Sequence, residues 1–250
     1  MKQKITLLFV LIALLFSSCG SYKNIPYYQD LDRSVPTQED ISNYSPTIIS
    51  NSDILGINVS SRTPEASAVF NYGANNTQSA INGYVVDDKG EVQVPLIGAL
   101  KVAGLTTAQV QEKMNKLLLT FYKDPVTNVR ILNFKIAIYG DVLKPDVYAI
   151  KDEKITITQA LTMAGDLNIT AMRKNIVLIR EEGGKRNFIP VDLTSKKIFS
   201  SPYYYLKNND QIYVQPDQTK YATVDRGYRT ATLVLSGLSI IAIVLSNLFR

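Results

Sequence analysis

Two apolar segments, one near each end of the chain, restrict this sequence to a protein that meets a membrane twice. Residues 5–16 are apolar and follow the basic residues Lys2 and Lys4. Residues 230–249 form an uncharged run of about 20 residues, which as a helix is about 30 Å long and matches the hydrocarbon core of a bilayer. No apolar run of spanning length lies between them. The middle of the chain is therefore expected to fold in water.

The N-terminal segment has the pattern of a lipoprotein signal peptide. Its apolar stretch of about 12 residues is short for a spanning helix. Residues 15–19, Leu-Phe-Ser-Ser-Cys, resemble a bacterial lipobox in a loose form, and Cys19 is the only cysteine of the chain. We predict a signal peptide over residues 1–18 and lipidation of Cys19, which would anchor the protein stably through two or three acyl chains. The alternative is an ordinary signal peptide with an incidental cysteine.

The composition excludes several functional classes. The chain has no histidine and one cysteine, so it cannot build Ser-His-Asp or Cys-His catalysis or an internal disulfide. The acidic pairs Asp87-Asp88 and Glu181-Glu182 fall in predicted turns, and adjacent residues on a strand point to opposite faces, which makes them poor acid-base partners. The net charge of +5 comes without a cluster of Lys and Arg. We therefore predict no enzyme, metal, cofactor or nucleic-acid site.

The pattern between the membrane segments predicts an α+β fold with two small β-rich domains. Residues 19–47 are polar and broken by prolines, and predict a tether or loosely packed arm after Cys19. The first domain is predicted over residues 48–133 and the second over 134–216. A linker over 217–229 and a transmembrane helix over 230–249 complete the chain.

Two capping boxes mark the starts of helices. Thr106 with Gln109 begins the first, and Thr156 with Gln159 begins a second that ends at Gly165. The apolar stripe of the first helix is expected to pack on a sheet and consists of Val110, Met114, Leu117, Leu118 and Phe121.

The predicted second domain contains a hairpin and a final strand pair. Residues 176–180 and 188–191 form the hairpin around 181–184, and residues 206–214 form the last strand pair. Tyr203, Tyr204 and Tyr205 are consistent with sugar stacking, but we favour strand packing and subunit contacts. Residues 51–57 also echo residues 208–214, since each is a polar turn, an aspartate and an alternating strand.

Two groups of motifs resemble known domains. Residues 85–98 and 101–106 resemble the core of the polysaccharide export domain. Residues 139–148, 158–165 and 206–216 resemble one soluble-ligand-binding β-grasp (SLBB) domain. The resemblance spans about residues 48–216, and the positions that carry the family turn motifs are Asp87, Gly90, Pro95, Gly98, Gly104, Gly140, Pro145, Gly165 and Asp210.

The chain departs from the family at several turns. Ser52, Asp146 and Asn209 stand where the family usually has glycine, and Asp166 replaces a second glycine after Gly165. Because Asn and Asp tolerate left-handed geometry, we expect the turns at Asp146 and Asn209 to keep it, whereas Ser52 fits less easily.

The order of the segments resembles the outer-membrane polysaccharide export lipoproteins of capsule and exopolysaccharide systems. The resemblance implies a homo-oligomeric ring in the outer membrane of a Gram-negative-type bacterium, with its body in the periplasm. It also implies a porin-like conduit of C-terminal helices, polysaccharide as cargo and an inner-membrane partner of the chain-length or tyrosine-kinase type.

The C-terminal segment has a polar stripe that is consistent with such a ring. Arg226, Arg229 and Arg250 flank the membrane segment. A helical projection places one set of small polar residues on a common face, opposite an apolar face: Thr232, Ser236, Ser239, Ser246 and Asn247. In a ring, this stripe would face water or neighbouring helices. The alternative is a lone anchor whose hydroxyls bond their own backbone, in a periplasmic glycan- or partner-binding scaffold without a pore.

Overall fold

The computed structural model of the 250-residue chain describes residues 25–41, 43–62, 68–71, 83–221 and 226–248. The side chains of Arg226 and Arg229 are not described, and Cys19 and Arg250 lie outside the described residues. The described part combines strands and helices and ends in an apolar helix, which confirms the α+β class.

The first lobe contains a three-stranded antiparallel sheet, a separate hairpin and one helix. The sheet has the order β2-β1-β5, from β1 (Ile54–Ser60), β2 (Tyr84–Val85) and β5 (Val126–Ile131). The hairpin pairs β3 (Glu91–Val94) with β4 (Gly98–Lys101), and helix α1 (Thr107–Leu118) follows it. One hydrophobic cluster joins the inner faces of these elements.

Helix α1 begins where the capping box predicts. The Thr106 hydroxyl accepts a hydrogen bond from the Gln109 backbone, and the Gln109 side chain accepts one from the Thr106 backbone. Val110, Met114 and Leu118 are buried, as expected. The predicted stripe was wrong at its C-terminal end, because Leu117 is exposed and Phe121 lies beyond the end of the helix in an exposed turn.

The second lobe is built on a five-stranded sheet of order β7-β6-β10-β8-β9. The pair β6–β10 is parallel and the other pairs are antiparallel. Helix α2 (Ile157–Met163) contributes Ile157, Ala160 and Leu161 to the core on one face of this sheet. The strands are β6 (Lys135–Gly140), β7 (Asp146–Ala149), β8 (Ala171–Glu182), β9 (Lys185–Val191) and β10 (Gln211–Pro216).

Three predictions for the second lobe need correction. The hairpin extends to Glu182, so Glu181-Glu182 ends β8 and only the two following glycines turn the chain. Residues 206–214 contain one strand, β10, which pairs with β6 and β8. Tyr203, Tyr204 and Tyr205 lie outside the named strands, and Tyr203 and Tyr204 pack against the core of their own lobe.

The C-terminal helix α3 (Arg226–Leu248) starts four residues before the predicted membrane segment. Its window Thr230–Asn247 has a mean hydropathy of 1.8, and none of that window is buried. By length and composition, this helix can cross a membrane.

The described part of the N-terminal arm, residues 25–41 and 43–47, packs on the second lobe. The Tyr28 N–H donates to the Leu193 carbonyl (3.1 Å), and the Gln29 N–H donates to the Thr194 carbonyl (2.6 Å). The Asn43 amide donates to the Phe199 carbonyl (2.8 Å). The prediction of a tether or loosely packed arm therefore missed these contacts, the first of which is made by Tyr28.

Candidate functional site

The arm and the chain that leads to α3 reach the same loop of the second lobe. This attachment loop, residues 164–170, connects α2 to β8. The Tyr27 hydroxyl of the arm donates to the Asp166 carboxylate. On the other side, the Asp217 N–H donates to the Thr170 carbonyl (2.8 Å) just after β10 ends. One short loop thus contacts both the segment that follows Cys19 and the segment that precedes α3, the two predicted membrane attachments.

A buried carboxylate ties the C-terminal route to this loop. Asp141, at the end of β6, is fully buried and accepts hydrogen bonds from Lys220 Nζ (2.6 Å), Thr170 Oγ1 (2.6 Å) and Asn168 Nδ2 (2.9 Å). Burial alone would raise the pKa of Asp141, but the three donors outweigh it and hold this pKa below its usual value. The same contact raises the pKa of Lys220. Lys220 therefore stays charged and fixes the chain a few residues before α3.

The arm makes a second set of polar contacts beyond the attachment loop. The Asp30 carboxylate accepts from Ser195 Oγ and from the Lys196 N–H, both at 2.6 Å. Lys196 Nζ also pairs with Glu39 (2.6 Å).

Burial and the hydrogen bond to Asp166 raise the pKa of Tyr27, so its hydroxyl keeps its proton and remains the donor.

The polar stripe of α3 is exposed along its whole length. Its hydroxyls make hydrogen bonds within the helix, since Ser236 Oγ donates to the Thr232 carbonyl (2.8 Å) and Ser239 Oγ to the Leu235 carbonyl (2.9 Å). Ser246 and Asn247 continue the exposed stripe. Each hydroxyl oxygen keeps acceptor capacity for water or a neighbouring helix. Because the hydroxyl hydrogens of Ser236 and Ser239 are already bonded within the helix, these two donors need neither water nor a neighbouring helix.

The residues that carry the family turn motifs lie at the ends of strands and helices. The Asp87 carboxylate accepts from the Glu91 N–H (2.8 Å) and closes the turn before β3. Pro95 lies in the β3–β4 turn, Pro145 precedes β7, and Asp210 precedes β10. The motif glycines all adopt a positive φ, in the range that favours glycine: Gly90, Gly98, Gly104, Gly140 and Gly165.

The departures from the family motif mostly keep the same backbone shape. Ser52 (φ 67°), Asp166 (φ 70°) and Asn209 (φ 64°) all adopt the left-handed conformation of the glycines that they replace. Ser52 does so despite the sequence expectation. Asp146 does not, because it is the first residue of strand β7 and its side chain accepts from the Val147 N–H.

The sequence echo between residues 51–57 and 208–214 corresponds to two turns of the same geometry. In each turn, the aspartate accepts from the N–H three residues earlier, with Ser50 to Asp53 at 2.8 Å and Lys207 to Asp210 at 2.7 Å. The two turns also meet, because Asn208 Nδ2 donates to Asp53 Oδ1 (2.7 Å). This contact joins the two lobes. The sequence echo indicated the shared turn geometry but not the contact.

Asp53 differs from Asp210 because it has no cation among its hydrogen-bond partners. Burial raises the pKa of Asp53 above its ordinary value of 3.8, against the opposing effect of the hydrogen bonds from Ser50 and Asn208. The folded protein thus binds this proton more tightly than the unfolded chain does. The ionised carboxylate costs stability above the folded pKa, and that cost disappears as the pH falls from the folded pKa toward 3.8.

We therefore expect Asp53→Asn to change the pH dependence of stability. Wild type should gain stability relative to the variant as the pH falls from neutral to about 4, since only wild type takes up this proton on folding. Thermal midpoints of both proteins across this range measure the difference. Groups whose pKa is lowered, such as Asp141, are present in both proteins, so their contributions to the pH dependence cancel in the difference between the two midpoints. A difference that does not vary with pH would contradict the assignment.

The described residues contain no group of three or more His, Cys, Asp or Glu side chains that could hold a metal ion. The buried pair of Arg180 and Asp210 is satisfied within the fold: Arg180 Nε and a terminal nitrogen donate to the two carboxylate oxygens at 2.9 and 2.6 Å. Near the attachment loop, the Arg173 guanidinium donates to the Ala171 carbonyl (3.0 Å) and the Asn168 carbonyl (3.2 Å), while its buried Nε has no hydrogen-bond partner.

Comparison with known proteins finds a family model that matches the first lobe. Residues 42–132 match the polysaccharide biosynthesis/export protein family. The match covers every strand of the first lobe, from β1 to β5, and it confirms the export-domain resemblance of the sequence.

Two relatives of the export domain carry informative names. The EPS I polysaccharide export outer membrane protein EpsA of Ralstonia solanacearum is 29% identical over 139 residues, which are 54% of this chain and 37% of that protein. The protein of the same name from Ralstonia nicotianae is 32% identical over 110 residues, or 43% of this chain and 29% of that protein. The aligned part of this chain thus spans 37% of one relative and 29% of the other.

Proposed function

We propose that this protein is an outer-membrane subunit of machinery that exports a capsular or extracellular polysaccharide. The match of residues 42–132 to the export family carries the proposal, and the names of both relatives agree with it. In this proposal, Cys19 bears the lipid, the second lobe is an SLBB-type β-grasp domain, and the body lies in the periplasm. Chemistry is supplied elsewhere, so the protein acts as a conduit and not as an enzyme.

The attachment loop supports placing both anchors in one membrane. Cys19 precedes Tyr27 by eight residues, a distance of at most about 29 Å in extended chain. Tyr221 precedes Arg226 by five residues, at most about 18 Å. Because Tyr27 and Lys220 both contact elements around one short loop, the lipid and α3 would enter the membrane close together.

The exposed surface of α3 supports a ring of copies. A lone helix cannot enclose a path for a polymer, whereas several helices can turn their apolar faces to lipid and their polar stripes inward. We propose a homo-oligomeric ring in which the C-terminal helices form an α-helical barrel. Polysaccharide would pass through it, and an inner-membrane chain-length or tyrosine-kinase-type protein would work with it.

One observation favours a second candidate function. Because Ser236 and Ser239 bond their own backbone, α3 is also suited to a lone anchor. The protein would then be a membrane-anchored periplasmic scaffold that binds glycan or a partner without a pore. The two functions differ in what they require of the stripe, since an anchor needs only an apolar helix of spanning length.

Replacing Thr232, Ser236, Ser239 and Ser246 together with leucine should abolish most surface polysaccharide while the protein remains abundant in the membrane. The physical reason is that the variant helices present lipid-like surface on every side and cannot line a wetted path. Quantifying surface polysaccharide and membrane-bound protein in the same strains measures this effect.

The matched control changes the opposite face of the same helix. Val234→Leu, Ile241→Leu and Val244→Leu together keep that face apolar and should leave export intact. Deletion of residues 226–250 should abolish export with either function. Normal polysaccharide in the stripe variant would contradict the conduit and support the scaffold.

A further inference from the structure

Large apolar side chains are exposed around the attachment loop. We call this group the apolar tip, and it consists of Leu143, Met163, Ile169 and Tyr221. Ile169 is 69% exposed and Leu143 is 62% exposed. Single exposed apolar residues are normal on a protein surface, so the argument depends on whether these four lie together.

Hydrogen bonds between their neighbours bring the four residues to one end of the second lobe. The Leu143 N–H donates to the Asp166 carbonyl (3.1 Å), and the Lys144 N–H donates to the Ala164 carbonyl (2.8 Å), next to Met163. The Asp217 N–H donates to the carbonyl of Thr170, the residue after Ile169. Asp217 also begins the short segment that ends at Tyr221. The turn after β6, the end of α2, the attachment loop and the segment after β10 therefore form one contiguous surface.

The chain on both sides of this surface determines what can cover it. Tyr221 is five residues from the start of α3, and Tyr27, bonded to Asp166, is eight residues from Cys19. These short connections hold the apolar tip close to whatever surface both attachments enter. We propose that the apolar tip inserts into the interface of the membrane that α3 crosses. The inference rests on the proposed function, because it takes α3 and Cys19 as membrane attachments.

The charges around the apolar tip fit a lipid interface. Asp141 is buried and paired with Lys220, and the exposed Asp166 carboxylate accepts from Tyr27 and from the Leu167 N–H. Asp146, exposed two residues after Lys144, accepts from the Val147 N–H. Lys144 is exposed beside Leu143 and can meet phosphate headgroups. Lysine and tyrosine with aliphatic residues are the side chains that interfacial segments use, with the apolar parts in the acyl boundary and the polar ends in water.

Tryptophan fluorescence tests this contact because the chain has no tryptophan. The full-length Ile169→Trp variant, reconstituted into phosphatidylcholine–phosphatidylglycerol vesicles, should show blue-shifted emission and lose most of it to lipids with a shallow doxyl label. The matched control is Leu119→Trp, at a first-lobe residue that is 62% exposed against 69% for Ile169, and it should keep unshifted and unquenched emission. Each variant introduces one fluorophore at a solvent-exposed site.

Three outcomes separate the possibilities. Equal quenching at both sites, or none at Ile169→Trp, would overturn the membrane contact. A blue shift at that site without lipid quenching would indicate burial against protein, such as a second copy, and would also overturn it. Ile241→Trp, near the middle of α3, tests the underlying assumption with lipids that carry a deep doxyl label. Quenching there without quenching of Ile169→Trp by the shallow label rejects only the apolar-tip contact. No quenching of either variant by either label rejects the membrane placement on which the proposed function depends.

Discussion

Arg180→Met should lower the free energy of unfolding of the second lobe by about 3–5 kcal/mol, the typical cost of removing one partner of a buried ion pair. The Arg180 and Asp210 side chains are only 4% and 1% exposed. Arg180 also donates to the Tyr205 carbonyl (3.1 Å). Without the guanidinium, the Asp210 carboxylate stays buried with the Lys207 N–H as its remaining donor. Thermal unfolding of the full-length protein in detergent, followed by near-ultraviolet circular dichroism, measures the loss.

The same hairpin supplies the control for Arg180→Met. Arg186 pairs with Glu181, but both side chains are about 60% exposed, so water already screens this pair. Arg186→Met should shift the unfolding midpoint far less. The double variant Arg180→Met with Asp210→Leu should recover part of the stability, because it removes the isolated charge. Equal losses for Arg180→Met and Arg186→Met would show that burial of the pair has no energetic consequence.

Gly140→Ala should prevent the second lobe from folding stably, with a cost of about 3 kcal/mol or more. Gly140 has φ 101° and lies opposite Val214 in the parallel β6–β10 pair. A Cβ atom there would overlap the Val214 carbonyl oxygen and lie 2.9 Å from the carbonyl carbon. Both atoms are backbone in the centre of the sheet, so no side-chain rotation relieves the overlap.

Gly98→Ala is the matched control, because it separates backbone conformation from collision. Gly98 also has a positive φ, 82°, but a Cβ atom built there meets nothing within 4 Å. Only the conformational cost of about 1–2 kcal/mol is then expected. Yield of folded protein and the unfolding midpoint distinguish the two variants. A Gly140→Ala protein as stable as Gly98→Ala would mean that the β6–β10 pairing is not as described.

Features that depend on neighbouring residues could be predicted from the sequence. Each capping box lies within four residues, and both Thr106 and Thr156 begin their helices as expected. The positive φ of Asn209 also follows from its own side chain and turn. These features need no knowledge of the rest of the fold.

Features that depend on distant residues escaped the sequence analysis. Nothing near Asp30 indicates that Ser195 and Lys196 will bind it, and the tyrosines 203–205 resemble a strand until β10 is seen to begin at Gln211. The burial of Arg180 could almost have been predicted from the sequence, because Arg180 continues the alternation that points Ile176 and Leu178 toward the core. When the alternation of a strand places a charged residue on the buried face, that residue indicates a buried partner of opposite charge.

The docked arm also has a consequence for biogenesis. Asp30 and its partner Ser195 are separated by 165 positions, so the arm cannot dock until nearly the whole second lobe has been made. Contacts of such long sequence separation form late, since closing the intervening loop costs entropy before any contact repays it. Under the proposed function, Cys19 would therefore be modified while the arm is still undocked and accessible to enzymes. Docking would then draw the attached lipid toward the finished body.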